Sequence, residues 1–138
     1  KNKKASLCKH VKKVLEIALN TARAGVKINR VGFAVEQYAK ENSLTVIRDL
    51  GGHGVGRSLH EEPSFIGSFG EHRDRRIFTE NLVVAIEPFL SNGAHHIKEA
   101  ADGWTLFHER FYSVQKEHTL MIRKSRPHIF TKPTMNFS

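Results

Sequence analysis

The chain has 138 residues, with 22 Lys plus Arg against 14 Asp plus Glu, a net charge of +8 and 39% hydrophobic residues. That length and composition suit one cored domain and exclude two large domains or a disordered chain. No apolar run approaches the ~18 residues of a spanning helix, no internal period marks a repeat array, and the lone Cys8 excludes an internal disulfide, which favours a reducing, cytoplasmic setting.

Leu7, Val11, Val14, Leu15, Ala18, Leu19 and Ala22 recur at intervals of three and four, one apolar helix stripe. Ser6 is placed to cap its start and Gly25 to end it in a left-handed turn. A second helix is expected from Asn29 to about Glu41, burying Val31, Ala34, Val35 and Tyr38. Together they predict a helical hairpin over residues 1–42. Leu44 to Leu50 is strand-like, and Gly51, Gly52, Gly54 and Gly56 read as a loop after it. Asn81 to Phe89 predicts a buried strand closed by Pro88, and Trp104 to His108 and Phe111 to Met121 predict two more. The segment 67–76 is polar and reads as a loop or hairpin. Helices followed by an antiparallel sheet make an α+β fold, with sheet and motifs over 43–122. The basic, Pro-containing segment 123–138 reads as a loosely ordered tail.

Three segments hold residue types that carry chemistry. In Gly52-His53-Gly54-Val55-Gly56-Arg57-Ser58-Leu59-His60-Glu61-Glu62-Pro63 the glycine spacing is wrong for a dinucleotide fingerprint. Ser64 stands where a zincin helix needs its second His. What remains is a Gly-flanked His53 with His60 seven residues on: either a tight turn with two surface histidines, or a backbone that approaches a substrate or metal. In Val83-Val84-Ala85-Ile86-Glu87-Pro88-Phe89, a carboxylate ends an apolar strand. Buried there, Glu87 needs a cationic side chain or a metal. In Ser113-Val114-Gln115-Lys116-Glu117-His118-Thr119, strand alternation puts Ser113, Gln115, Glu117 and Thr119 on one face, towards solvent or a polar cavity. His53, Glu87 and Glu117 together offer nitrogen and oxygen donors suited to a divalent transition metal.

In order and spacing, G-H-G-V-G-R-S-L-H-E-E-P, A-I-E-P, D-G-W-T and S-V-Q-K-E-H-T resemble the type I methionine aminopeptidases of the pita-bread fold, over about Leu7 to Ile122. The resemblance implies a helical hairpin packed on a curved antiparallel sheet. It matches His53, Glu87 and Glu117 to metal ligands and His60 to a catalytic His that contacts the scissile peptide. Trp104 matches an aromatic near the methionine pocket, and Leu59 takes a place usually held by a Phe of that pocket. Gln115 matches a residue near the metal with no assigned role. The implied cofactor is a divalent ion (Co, Mn, Zn, Fe or Ni) at one or two sites. The implied reaction is metal-assisted hydrolysis that removes Met from nascent chains, with Glu87 moving the proton and His60 steadying the peptide.

The resemblance is incomplete. The family centre also uses two aspartates, and neither Asp49 nor Asp74 has their context. The chain begins at Lys1 and resembles the C-terminal half of the fold, so residues 1–138 are expected to form an incomplete catalytic domain with reduced or no activity alone. Two other readings stand beside it. One is a non-catalytic pita-bread module that binds RNA or the ribosome through its basic surface. The other is pairing of the exposed sheet face, with the missing N-terminal half or a second copy. Neither reading involves a membrane.

Overall fold

The computed structural model describes residues 3–133. It opens with α1 (Lys3–Thr21) and α2 (Asn29–Glu41), antiparallel neighbours joined by a turn in which Gly25 has φ +84°. The stripe expected of α1 is buried: Leu7, Val11, Val14, Leu15, Ala18, Leu19 and Ala22 all lie in the core. Ser6 does not cap this helix, because α1 begins at Lys3 and Ser6 lies inside its first turns. The second helix has the expected bounds and buries Val31, Gly32, Val35 and Ala39, while Ala34 and Tyr38 are half-buried. It ends in a Schellman arrangement. The Leu44 amide donates to the Ala39 carbonyl (2.8 Å), the Ser43 amide donates to the Lys40 carbonyl (3.2 Å), and Ser43 is left-handed at φ +55°.

Ten short strands follow: β1 (Thr45–Val46), β2 (Gly51–Gly54), β3 (Glu61–Gly67), β4 (Val83–Ile86), β5 (Phe89–Ser91), β6 (Lys98–Glu99), β7 (Leu106–Phe107), β8 (Ser113–Gln115), β9 (His118–Met121) and β10 (His128–Ile129). They form a five-stranded sheet in the order β10-β9-β4-β2-β3, a three-stranded sheet β1-β5-β8 and the hairpin β6-β7. Every pairing is antiparallel. Helix α1 packs on α2 and against β4, β5 and β8. Val14, Val35, Phe78, Ile86, Leu90, Leu120 and Ile122 fill the space between helices and sheets.

The glycine run differs from expectation. Gly51 to Gly54 are not a loop but β2, held between β3 and β4. A Cβ at Gly52 would overlap the Ala85 carbonyl oxygen of β4, and one at Gly54 the Glu62 carbonyl oxygen of β3. The glycines flanking His53 therefore let neighbouring strands close on its backbone.

The strand expected over 44–50 shortens to Thr45–Val46, and that over 104–108 to Leu106–Phe107. The strands expected over 81–89 and 111–121 are each broken in the middle. Chain β4-Glu87-Pro88-β5 leaves the five-stranded sheet for the three-stranded one, and β8-Lys116-Glu117-β9 makes the return crossing beside it. Phe89 pairs with Gln115 on one side of the break and Ile86 with His118 on the other. The segment after Ile122 is not a loose tail throughout: β10 pairs His128 with Met121 and Ile129 with Leu120. Residues 134–138 of that expected tail lie outside the described residues.

Candidate metal centre

His53 sits on β2, between β4 and the edge strand β3, opposite Ala85, and is 9% exposed. Its Nδ1 lies 2.8 Å from the Gly54 carbonyl oxygen. A carbonyl only accepts, so Nδ1 carries a proton, and in the neutral ring the lone pair is on Nε2. That nitrogen faces Glu87 Oε1 at 3.5 Å.

Glu87 follows β4 at the crossing between the sheets. Burial raises its pKa, and the negative charge of Glu117 raises it further. Across the break, one amide serves both carboxylates: Gln115 Nε2 donates to Glu87 Oε2 at 3.1 Å and to Glu117 Oε2 at 2.6 Å. Carboxylates only accept, so the amide group must turn its N–H bonds towards both. The His60 ring lies over His53 with centroids 3.9 Å apart and planes inclined by 30°. His60 itself is exposed in the loop between β2 and β3.

Five of the seven site residues expected from sequence thus stand in one chain of contacts: His60, His53, Glu87, Gln115 and Glu117. Leu59 and Trp104 do not join it through any side-chain hydrogen bond or ring contact and are 74% and 87% exposed. Trp104 tips the β6-β7 hairpin, where Asp102 accepts from its amide at 2.9 Å. Hydrogen bonds from Thr105 and the Trp104 amide hold the Asp102 carboxyl down at about 2.

The donor chemistry fits a divalent cation. In the neutral ring Nε2 presents its lone pair to a carboxylate oxygen, and a second carboxylate stands behind the first. Such a cluster calls for a proton or a cation between its members. Among the described residues no three His, Cys, Asp or Glu side chains are spaced to hold a metal ion; Glu117 is engaged by Gln115 instead. The two nearest sequence candidates for further carboxylates are committed elsewhere. Asp49 accepts from the Ile97 amide (2.9 Å) and pairs with His96 (2.8 Å), and Asp74 is clamped by Arg76 at 2.7 Å.

Beside Gln115 opens an apolar cleft of about 360 Å³, lined by Ile47, Leu50, Phe89, Leu106 and Phe111 among others. Its lining comes from four separate segments, so no single motif announces it.

Residues 1–124 match the metallopeptidase family M24. The chain belongs to that family. It is 41% identical over 127 residues to methionine aminopeptidase 2 of Bacillus subtilis (strain 168), a match that covers 91% of this chain and 51% of the relative. Two solved structures superpose closely. The methionine aminopeptidase of Rickettsia prowazekii is 29% identical with a TM-score of 0.87, over 94% of this chain and 53% of that one. The Thermotoga maritima methionine aminopeptidase is 31% identical with a TM-score of 0.87, over 94% and 52%. The α+β fold is therefore the pita-bread fold of these enzymes. The chain spans about half the length of the relatives it matches.

Proposed function

We propose that this chain carries part of a metal-dependent methionyl aminopeptidase centre, serving the removal of N-terminal Met from nascent polypeptides in the cytoplasm. The observation that carries the reading is the contact chain His53–Glu87–Gln115–Glu117 at the crossing between the sheets. His53 Nε2, Glu87 and Glu117 would be the donors that hold the cation. The chemistry a divalent cation supplies there is polarisation of a peptide carbonyl.

This chain's own groups do the rest. Glu87, already biased towards holding a proton by burial and by Glu117, takes and returns one at its carboxyl oxygens. His60 reaches solvent from its seat on His53 and donates to the substrate's amide oxygen, or gives its proton to the departing nitrogen as that becomes an amine. The apolar cleft beside Gln115 suits an unbranched, uncharged side chain such as methionine. Turnover by this chain alone is expected to be weak or absent, because Asp49 and Asp74 are tied to His96 and Arg76 and bring no further carboxylate to the cluster.

The test is metal content after incubation with Zn, Co or Mn followed by desalting. About one equivalent in the parent chain, and much less in Glu117→Ala, is the expected result. An unchanged content in Glu117→Ala would refute the ligand set. Robust Met-peptide cleavage lost in His60→Ala would show that no further carboxylates are needed.

A further inference from the structure

A second concave surface lies away from this centre. Between the C-terminal part of α1 and the segment around β10 is a cleft of about 490 Å³, lined by Glu16, Leu19 and Asn20 on one side and by Arg126, Pro127, His128, Ile129 and Lys132 on the other. Leu19 and Ile129 give it an apolar part, and Arg126 and Lys132 make the β10 side cationic. Glu16 is the acid in the lining, and it is already paired with Lys13 at 2.9 Å. Arg126 and Lys132 form no ion pair with any described residue. By helical period Lys12 lies on the same face of α1 as Glu16 and Leu19 and is exposed. Arg126 and Lys132 thus give one side of the groove a positive edge.

The rim adds an aromatic surface. Phe130 is 52% exposed and sits edge-on to His128, with centroids 4.9 Å apart. An amide-to-carbonyl bond to Thr119 (2.9 Å) fixes its backbone at the end of β10. A fixed, exposed aromatic ring costs little entropy when a flat partner stacks on it. Two unpaired cations along one side of a groove, with a stacking ring nearby, meet the needs of a strand of phosphates and unpaired bases. They suit a duplex poorly, since its bases are already stacked.

We propose that the groove between α1 and β10 binds single-stranded nucleic acid, with Arg126 and Lys132 on phosphates and Phe130 against a base. The site is independent of the metal centre and uses none of its residues.

The test is fluorescence anisotropy of a labelled oligouridylate of roughly 12 nucleotides with the full 138-residue chain. Two neutralised phosphates predict that affinity falls about sevenfold between about 50 and about 200 mM salt. The double variant Arg126→Glu/Lys132→Glu is expected to weaken binding at least about tenfold. Phe130→Ala is expected to weaken it about fivefold, with recovery in Phe130→Tyr. All changes lie at exposed positions, and unchanged thermal melting of each variant separates lost contacts from lost fold. Binding that ignores salt, or survives both the charge reversal and Phe130→Ala, overturns the proposal. So does equal affinity for a duplex of the same length. Equal competition by polyglutamate would overturn it in favour of an acidic-peptide groove.

Discussion

Glu87 and Glu117 stand on adjacent crossings between two sheets, and their carboxylates are linked by the single amide of Gln115. Like charges at this separation repel, and burial of Glu87 strengthens the repulsion. In the metal-free chain the pair is a source of strain that a cation would relieve. Glu117→Gln removes that repulsion while it removes a donor. Its metal-free form is expected to melt higher than the parent, by the equivalent of about 0.5 kcal/mol. Its melting temperature is expected to rise less on adding Zn, Co or Mn, because a ligand that binds only the folded state stabilises in proportion to its affinity. Differential scanning calorimetry with and without metal reads both. A variant that is both less stable when metal-free and equally stabilised by metal would contradict this account.

Backbone approach rather than side-chain chemistry explains the glycines beside His53. Gly52 faces the Ala85 carbonyl closely enough that a methyl group would overlap it. Neither strand can retreat without breaking the ladder that carries both His53 and Glu87. Gly52→Ala is expected to cost roughly 3 kcal/mol or more. Gly103, with open space around its Cβ direction but φ +68°, is the control: Gly103→Ala strains only an exposed hairpin and is expected to cost about 1 kcal/mol. Urea denaturation of the two variants gives the ranking.

Residues whose spacing matches one regular element were legible in the sequence, and those whose role depends on a crossing were not. The stripe from Leu7 to Ala22 and the span Asn29–Glu41 follow from a 3.6-residue period and are found where expected. Strand β3 was missed because Glu61, Glu62 and Pro63 disguise its start, and β10 because two residues in a basic segment leave no alternation to read. The run from Phe111 to Met121 looked like one strand with Gln115 and Glu117 on a shared face. Its break at Lys116-Glu117 places them on either side of a sheet change, and that is how Gln115 comes to bridge Glu117 to Glu87. Residue types at the site were readable from motifs, whereas this bridging depends on two crossings meeting in space.

The end of α2 offers a gain in stability. Ser43 occupies the left-handed position of the Schellman turn at φ +55°, where an L side chain is strained and glycine is not. It is exposed, and its hydroxyl takes part in no hydrogen bond with a described residue. Ser43→Gly is expected to stabilise the chain by about 0.5–1 kcal/mol, visible as a higher urea midpoint at unchanged slope. A lower midpoint would mean that the extra freedom of the unfolded chain outweighs the relieved strain.

The loop between β3 and β4 is held by a charge clamp with its own pH signature. Arg76 donates from Nε to Asp74 Oδ1 (2.9 Å) and from Nη2 to Asp74 Oδ2 (2.7 Å), and Nη2 also donates to the Phe65 carbonyl at 2.7 Å. The carboxyl in turn supports the Asn29 contact at the start of α2, since Asn29 Nδ2 donates to the Asp74 carbonyl (2.9 Å). Hydrogen bonding from Arg76 lowers the Asp74 pKa below its ordinary value. A carboxyl depressed in the folded state contributes stability that is fully present above its unfolded pKa of about 3.9. That contribution is lost as pH falls through the lower folded value. Asp74→Asn is therefore expected to cost about 1 kcal/mol at pH 7 and to converge with the parent as pH falls through the depressed folded value. Thermal melting of both proteins from neutral to acid pH follows the convergence. A constant difference across that range would show that the loss comes from the backbone of the turn and not from the charge on Asp74.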